Sequence, residues 1–344
     1  MAPTQLKTLQ IGRGLAALAV CAFHLSVYLG LKTGDAVFSA WTERGFLGVD
    51  FFFVLSGFII LHAHAGDIGR PGRWGAYAYK RFVRVYPIYW IYTAVLVAAL
   101  LVGVGETPLP TGAWDWFSSV TLVRVTDVKT PLPQAWTLFY EVLFYAVFSL
   151  LILNRRAGLA LIGVWLTGVA IMRLYPELSP MGVLFGLYNL NFFIGMAVYL
   201  VARRLSLRQA IAVGLLGIGV LAATYAFDPD LQRPGRLLYA VAFGLMLAGA
   251  VGFERHRKVD IPLLGTLGDA SYTIYLTHAL LLSTAWKVLN PFIKLPGPAM
   301  YVLLFVAAVT GGVVLYLGVE KPVLHILRRR RRPAAEAAPL KVAV

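Results

Sequence analysis

Arg13 and His24 are two ionisable residues inside a long apolar stretch, GRGLAALAVCAFHLSVYLG, which covers residues 12–30. A helix rises about 1.5 Å and turns about 100° per residue. The step of eleven residues from Arg13 to His24 therefore separates them by roughly 16 Å along a helix and returns them to within about 20° of one face. A guanidinium binds anions, and an imidazole can accept a proton near neutral pH. The pair predicts an anion-binding group at one depth and a general base at another.

Three further ionisable residues interrupt apolar stretches. Asp50 lies in GVDFFFVLSGF, Glu141 in WTLFYEVLFY and His278 in SYTIYLTH. A charged group at membrane depth costs about 2.5 to 3.5 kcal/mol on insertion scales. We therefore expect these side chains and His24 to face a shared polar interior rather than lipid.

Each of the three also has a purely structural interpretation. Asp50 could cap a helix or order a loop, and His278 could be a neutral core histidine bonded to a backbone carbonyl. Glu141 could pair with an arginine or a histidine for packing alone. If His24 is a base, a carboxylate is expected to orient it, and both Glu141 and Asp50 are candidates for that catalytic role.

A basic cluster precedes another apolar stretch, in YKRFVRVYPIYW. Arg81 and Arg84 are three residues apart and so share a helical face. Guanidinium groups match phosphate oxygens in paired hydrogen bonds. The alternative is ordinary positive-inside anchoring of a helix end. With Arg13 expected at the same membrane level, the cluster predicts a site for a phosphorylated cytoplasmic ligand.

The elements that must position these residues are membrane helices. Of the 344 residues, 59% are hydrophobic and only 14% are charged, whereas about a quarter are charged in soluble domains. Runs of about 20 apolar residues predict transmembrane helices. Ten are predicted, at 9–30, 45–64, 80–103, 134–153, 157–175, 187–203, 208–227, 235–252, 269–289 and 298–326. The predicted fold is an all-α, polytopic membrane bundle of about ten helices.

The net charge of +15 follows the predicted topology. Most of the 31 lysines and arginines fall in loops on one side, so both termini are expected in the cytoplasm and no nucleic-acid partner is expected. Residues 1–327 form the predicted transmembrane domain. Residues 328–344 begin RRRRRP and form a predicted disordered tail that contacts anionic membrane lipids. The single cysteine, Cys21, excludes an intramolecular disulfide, and no metal site is expected.

Six motifs occur in order along nearly the whole chain. They are the Arg13/His24 pair, GVDFFFVLSGF at 48–58, the Arg81/Arg84 pair followed by Tyr-Pro, WTLFYEVLFY at 136–145, LGDASYTIYLTH at 267–278 and VEKP at 319–322. This pattern resembles acyltransferase family three, whose members are bacterial integral-membrane O-acyltransferases of cell-envelope and exported carbohydrates. The details are most similar to members that acetylate exopolysaccharide.

The resemblance implies transfer of an acyl group, usually acetyl, from cytoplasmic acyl-coenzyme A in the bacterial inner membrane. It implies that Arg13, Arg81 and Arg84 hold this donor and that His24 is essential to transfer. The family often has tryptophan before the histidine of the SYxxYLxH motif, and Thr277 takes that place here.

Two mechanisms fit these residues. His24 could deprotonate the acceptor hydroxyl as a general base, or it could be a nucleophile that carries the acyl group. Trp136 and His278 are candidates for contact with the carbohydrate acceptor, although tryptophans are also common at membrane interfaces. A proton-coupled transporter or flippase of a phosphorylated or glycan substrate is the alternative function, because such proteins also bury histidines and carboxylates.

Overall fold

The computed structural model describes residues 6–102, 107–125, 130–174, 182–227 and 233–329, and these residues form helices without a strand. The main helices are α1 Lys7–Thr33, α2 Gly48–His64, α3 Trp74–Leu101, α4 Trp136–Leu153, α5 Arg155–Leu174, α6 Tyr188–Ala202, α7 Leu207–Phe227, α8 Arg233–Glu254, α9 Pro262–Leu289, α10 Gly297–Leu315 and α11 Lys321–Arg329. A π-helical turn, Tyr316–Glu320, joins α10 to α11. The all-α prediction is confirmed.

Nine helical segments within the described residues are long and apolar enough to cross a membrane. They are Lys7–Thr33, Ser39–Asp67, Pro71–Leu101, Pro133–Leu153, Arg155–Met172, Gly182–Ala202, Leu207–Phe227, Arg236–Glu254 and Gly297–Arg329. Each overlaps one predicted span, which confirms a multi-pass helical membrane bundle. The remaining predicted span, 269–289, lies in the 28-residue helix α9. Helix α9 is not one of the nine apolar segments, because its polar residues lower its mean hydropathy.

Helix ends follow local sequence signals. Helix α1 ends at Gly34, which adopts the left-handed conformation at φ 78° and donates its N–H to the Gly30 carbonyl. Helix α9 begins with Pro262, whose missing N–H costs nothing in the first turn. Helix α11 ends at Arg329, beyond the predicted domain boundary at 327, and the rest of the predicted tail, 330–344, lies outside the described residues.

Helices α1 and α9 pack in parallel at very short distance. A Cβ atom built on Gly268 would lie 2.0 Å from the Gln10 carbonyl oxygen, and one on Gly14 would lie 3.1 Å from the Gly268 nitrogen. Near the other ends of both helices, the rings of Tyr28 and Trp286 are 6.4 Å apart. Small residues allow such close approach of membrane helices. The pairing fixes the side chains of α1 against those of α9.

A second close crossing joins α2 to α6. A Cβ atom built on Gly57 would lie 1.9 Å from the Phe192 carbonyl oxygen, and one on Gly195 would lie 1.8 Å from the Val54 carbonyl oxygen. Phe192 also stacks on Phe144 of α4, with ring centroids 4.4 Å apart. This core holds α2 and α4 in place as two walls of the central cavity described next.

Candidate active site

A cavity of about 540 Å³ opens between α1, α2, α3, α4 and α9. Four of the residues singled out from the sequence line it together, namely Arg13, Arg81, Arg84 and Glu141. One wall is apolar and includes Phe52 and Leu55 of α2, so the cavity has both a cationic and a hydrophobic side. Such a space suits a ligand that has an anionic end and a slender, less polar arm.

Arg13 is oriented by α9. Its Nε donates a hydrogen bond of 3.1 Å to Oγ of the buried Ser271. Helix α1 is continuous from Lys7 to Thr33, so the expected separation of roughly 16 Å between Arg13 and His24 along the helix axis applies. Ser271 was not identified from the sequence, because its partner depends on the packing of two distant helices.

Arg81 and Arg84 differ in their surroundings. The Arg84 guanidinium lies 4.8 Å above the Tyr272 ring, and its Nη1 is 3.4 Å from Glu320 Oε1. Arg81 lies 5.6 Å above the Tyr145 ring, and its buried Nε has no hydrogen-bond partner among the described residues. An unpaired buried N–H is costly, so an anion in the cavity gives Arg81 a partner that the protein does not supply.

Glu320 belongs to the VEKP motif at 319–322, but it was not among the site residues predicted from the sequence. Its Oε1 faces Arg84, and its Oε2 accepts a 2.6 Å hydrogen bond from Thr273 Oγ1. The side chain is only 1% exposed and lies in the π-helical turn before α11. Like Glu141, Glu320 is an ionisable residue inside a predicted span, here 298–326. Ionisable residues at membrane depth are functional candidates, so the same criterion applies to both.

A second cavity of about 570 Å³ adjoins the first one near α11. Three arginines, Arg13, Arg84 and Arg328, line both cavities. Lys321 and Arg329 line only the second cavity. Asp269 and Glu320 also line the second cavity, so five lysine and arginine side chains outnumber two carboxylates there. We call this net positive end of the bundle the basic mouth, and its potential favours anionic ligands.

His24 and His278 form a pair on facing helices. Their ring centroids are 4.8 Å apart. His24 Nδ1 lies 2.9 Å from the Val20 carbonyl oxygen, and His278 Nδ1 lies 2.7 Å from the Tyr275 carbonyl oxygen. Because a carbonyl only accepts hydrogen bonds, each neutral ring carries its proton on Nδ1 and keeps a lone pair on Nε2. His278 is 1% exposed, and its Nε2 has no hydrogen-bond partner among the described residues.

Neither candidate carboxylate orients His24 within the described part of the chain. A carboxylate, Glu141 or Asp50, was expected to orient His24, but His24 Nδ1 is hydrogen-bonded to the Val20 carbonyl oxygen instead. Glu141 instead accepts a short hydrogen bond from the Tyr145 hydroxyl and lines the arginine cavity. A backbone carbonyl four residues earlier on the same helix is thus sufficient to fix the His24 tautomer.

Asp50 lies in a separate buried ion pair. Its Oδ1 accepts a 2.9 Å hydrogen bond from Asn191 Nδ2, and its Oδ2 is 3.3 Å from Arg236 Nη2. The Arg236 guanidinium also stacks 4.4 Å above the Tyr188 ring. Arg236 was missed, although an arginine within the predicted span 235–252 is the kind of residue that membrane insertion penalises.

Trp136 belongs to this second cluster rather than to the arginine cavity. Its ring is 5.2 Å from the Tyr188 ring, and 36% of the residue is exposed. Trp136, Tyr188, Arg236 and Asp50 lie at or near the first residues of α4, α6, α8 and α2. The described residues contain no group of three histidine, cysteine, aspartate or glutamate side chains that could hold a metal ion.

Comparisons with known proteins identify the family of this chain. A family model described as an acyltransferase domain matches residues 6–317. The exopolysaccharide production protein ExoZ of Rhizobium meliloti strain 1021 is 31% identical over 312 residues, which cover 85% of this chain and 94% of the relative. The acyltransferase MdmB of Streptomyces mycarofaciens is 24% identical over 95% of both chains.

A third relative is longer than this chain. The peptidoglycan O-acetyltransferase OatA of Listeria monocytogenes is 24% identical over 81% of this chain, but the match covers only 49% of OatA. No solved structure matches the chain.

Proposed function

Since this chain belongs to acyltransferase family three, we propose that it transfers an acetyl group from acetyl-coenzyme A to a hydroxyl of a cell-envelope or exported carbohydrate. The family and the apolar helices identify a multi-pass membrane acyltransferase. We propose in addition its donor, its acceptor and the roles of its residues. The observation that carries this proposal is the cavity lined by Arg13, Arg81 and Arg84. Tyr275 also lines this cavity, and its ring lies 6.0 Å from the ring of His278, the partner of His24.

The donor is assigned to the cationic side of the cavity. Arg13, Arg81 and Arg84 hold the phosphates of the nucleotide, because planar guanidinium groups bind phosphate oxygens through paired hydrogen bonds. The basic mouth formed with Lys321 and Arg328 raises the local concentration of the anionic donor. By the positive-inside rule this mouth faces the cytoplasm, and the protein lies in the bacterial inner membrane.

In the proposed mechanism, His24 acts as general base. Its Nε2 lone pair takes the proton of the acceptor hydroxyl, and the hydroxyl oxygen attacks the thioester carbonyl. A new C–O bond forms, the C–S bond breaks, and sulfur leaves with the electron pair and receives the proton from His24. The Val20 carbonyl holds the ring in the required tautomer throughout. The surrounding helices exclude water, which would otherwise hydrolyse the thioester.

The alternative step makes His24 a nucleophile that carries the acetyl group on Nε2 before the acceptor takes it. Incubation with labelled acetyl donor and no acceptor separates the two mechanisms. Label retained on the protein, and absent from His24→Ala, supports the acyl-histidine. Donor binding without retained label supports direct transfer.

The acceptor is assigned from the relatives and the aromatic cluster. Relatives are named for exopolysaccharide production and peptidoglycan O-acetylation, so a carbohydrate is the expected substrate class. Trp136 and Tyr188 offer ring faces on which a sugar can stack, and the Arg236 guanidinium beside them offers hydrogen-bond donors. The proposed acceptor thus approaches from the cluster, and the donor approaches from the arginine cavity.

The test measures release of free coenzyme A by the purified protein with a panel of envelope glycans. Wild type is expected to release coenzyme A only when a suitable glycan is present. His24→Ala is expected to lose this activity and to keep measurable donor binding. His256→Ala is the matched control, because His256 is an exposed histidine in the loop after α8. Full activity in His24→Ala would end the base hypothesis, and solute movement without coenzyme A release would favour the transporter alternative.

A further inference from the structure

The two cavities near α11 meet at a small set of shared residues. Arg13, Arg84 and Gln10 line both cavities and mark the junction between them. From this junction the first cavity continues between α2 and α4, where Phe52 and Leu138 line it, and the second continues along α11. One ligand bound at the junction can therefore extend in two directions.

Gln10 has an unused acceptor at this junction. Its side-chain Oε1 is buried and has no hydrogen-bond partner among the described residues. A buried polar atom without a partner is costly, so native structures usually satisfy such atoms. A ligand that places a hydroxyl or an N–H group at the junction supplies the missing donor. The junction thus suits a ligand that combines anionic groups with neutral hydrogen-bond donors.

Helix α11 turns a basic face toward the second cavity. Lys321, His325 and Arg328 follow one another at spacings of four and three residues, so they share a helical face, and Arg329 lies next to them. All four residues line the second cavity. We call these four residues the basic face of α11.

The basic face is held in place by contacts of α11 with the bundle. Leu324 of α11 is only 7% exposed. The Tyr79 hydroxyl of α3 donates a 2.8 Å hydrogen bond to the Leu327 carbonyl oxygen. These contacts anchor α11 against the helices that carry the arginines of the junction.

The carboxylates of the second cavity lie outside α11. Asp269 belongs to α9, and Glu320 lies in the π-helical turn, where its Oε1 is 3.4 Å from Arg84 Nη1. A phosphate in this cavity is therefore assigned to the α11 side, where the cations are concentrated.

We propose that the second cavity binds the nucleoside end of the acyl-coenzyme A donor and that the basic face of α11 recognises its ribose 3′-phosphate. This inference rests on the proposed acyl-coenzyme A activity. Coenzyme A carries a diphosphate between its pantetheine arm and its nucleoside. With the diphosphate at Arg13 and Arg84, the thioester arm extends into the first cavity and the nucleoside into the second. Lysine and arginine then form charge-assisted hydrogen bonds with the ribose phosphate.

The experiment compares kcat/KM for acetyl-coenzyme A and for acetyl-dephospho-coenzyme A, which lacks only the 3′-phosphate, with one glycan acceptor. Wild type is expected to prefer acetyl-coenzyme A by at least about 10-fold, the factor expected from one hydrogen bond to a charged group. Lys321→Ala and Arg328→Ala are each expected to bring this ratio closer to one. Lys258→Ala is the matched control, because Lys258 is exposed in the loop between α8 and α9 and lines neither cavity.

A charge-conserving variant separates direct contact from general attraction of anions. Arg328→Lys keeps the positive charge but loses the paired hydrogen bonds of a guanidinium. Direct recognition predicts a lower donor ratio in Arg328→Lys than in wild type. A wild-type ratio in this variant would show that only the net charge matters and would overturn the proposal.

A phosphate at this site could also come from an anionic lipid headgroup. The donor ratio is therefore measured in nanodiscs of phosphatidylcholine alone and of phosphatidylcholine with phosphatidylglycerol. Equal ratios in both membranes support the donor phosphate as the occupant. A wild-type ratio that falls to one with phosphatidylglycerol assigns the site to lipid and overturns the proposal.

The failure of this proposal is distinct from failure of the activity on which it rests. A wild-type protein that uses both donors equally well overturns the 3′-phosphate site and leaves the acyl-coenzyme A activity in place. A wild-type protein that consumes neither donor overturns the activity itself. The ratio is a useful readout because loss of folded protein lowers both rates alike.

Discussion

His24 and His278 meet with ring centroids 4.8 Å apart, although they come from the first and the ninth membrane helix. Each Nδ1 is bound to a carbonyl of its own helix, so the two Nε2 atoms remain available for chemistry. The buried Nε2 of His278 has no hydrogen-bond partner among the described residues, and such a polar atom is costly in an apolar interior. We therefore propose that His278 acts together with His24 in transfer.

The role of His278 can be separated from its packing. In His278→Asn the side-chain amide can still donate to the Tyr275 carbonyl, but the Nε2 lone pair is lost. We expect the variant to fold and to bind donor, with turnover about 100-fold lower, which is the low end of what a positioned acid or base contributes. Single-turnover kinetics measure the effect. Normal turnover in His278→Asn would return His278 to a packing role.

Arg81→Ala tests the donor site most directly, because Arg81 Nε has no hydrogen-bond partner among the described residues. We expect donor binding to weaken by about 1 to 3 kcal/mol, the value of a charge-assisted hydrogen bond. Calorimetric titration with acetyl-coenzyme A measures this change. Arg208→Ala is the control, because Arg208 is exposed and lies in the first turn of α7. Unchanged donor affinity in Arg81→Ala would remove Arg81 from the site.

The ion pair of Asp50 and Arg236 is expected to matter for stability. Arg236→Met leaves the buried Asp50 carboxylate without its cation, and loss of one partner of a buried pair costs about 3 to 5 kcal/mol. We expect a lower thermal midpoint in detergent and partial recovery when Asp50→Asn is added. An Asp50→Asn protein that keeps wild-type stability but loses all transfer activity would instead support a catalytic role for Asp50.

The contact between α1 and α9 makes Gly268 intolerant of a side chain. A Cβ atom there would lie 2.0 Å from the Gln10 carbonyl oxygen, so Gly268→Ala must push the two helices apart. We expect loss of both stability and transfer activity. Gly265→Ala is the matched control on the same helix, because its added Cβ meets nothing within 4 Å. That control is expected to gain up to about 1 kcal/mol from helix propensity. Equal behaviour of the two variants would contradict tight packing at Gly268.

Much of the fold follows from local sequence, because insertion into a membrane depends on the apolarity of each segment. The helical period also placed Arg13 and His24 on one face, and both do face α9. Their partners Ser271 and His278 depend on close packing at Gly14 and Gly268, which no local pattern specifies. Glu320 and Arg236 lie within predicted spans, but the sequence did not predict a site role for either, because their partners come from distant helices.

The pairing of α1 with α9 has a consequence for biosynthesis. Helix α1 is translated before α9, and more than 200 residues separate the end of α1 from the start of α9. Until α9 is synthesised, His24 lacks its counterpart His278. If the histidine pair carries out the proposed transfer, a nascent chain without α9 consumes no acyl donor.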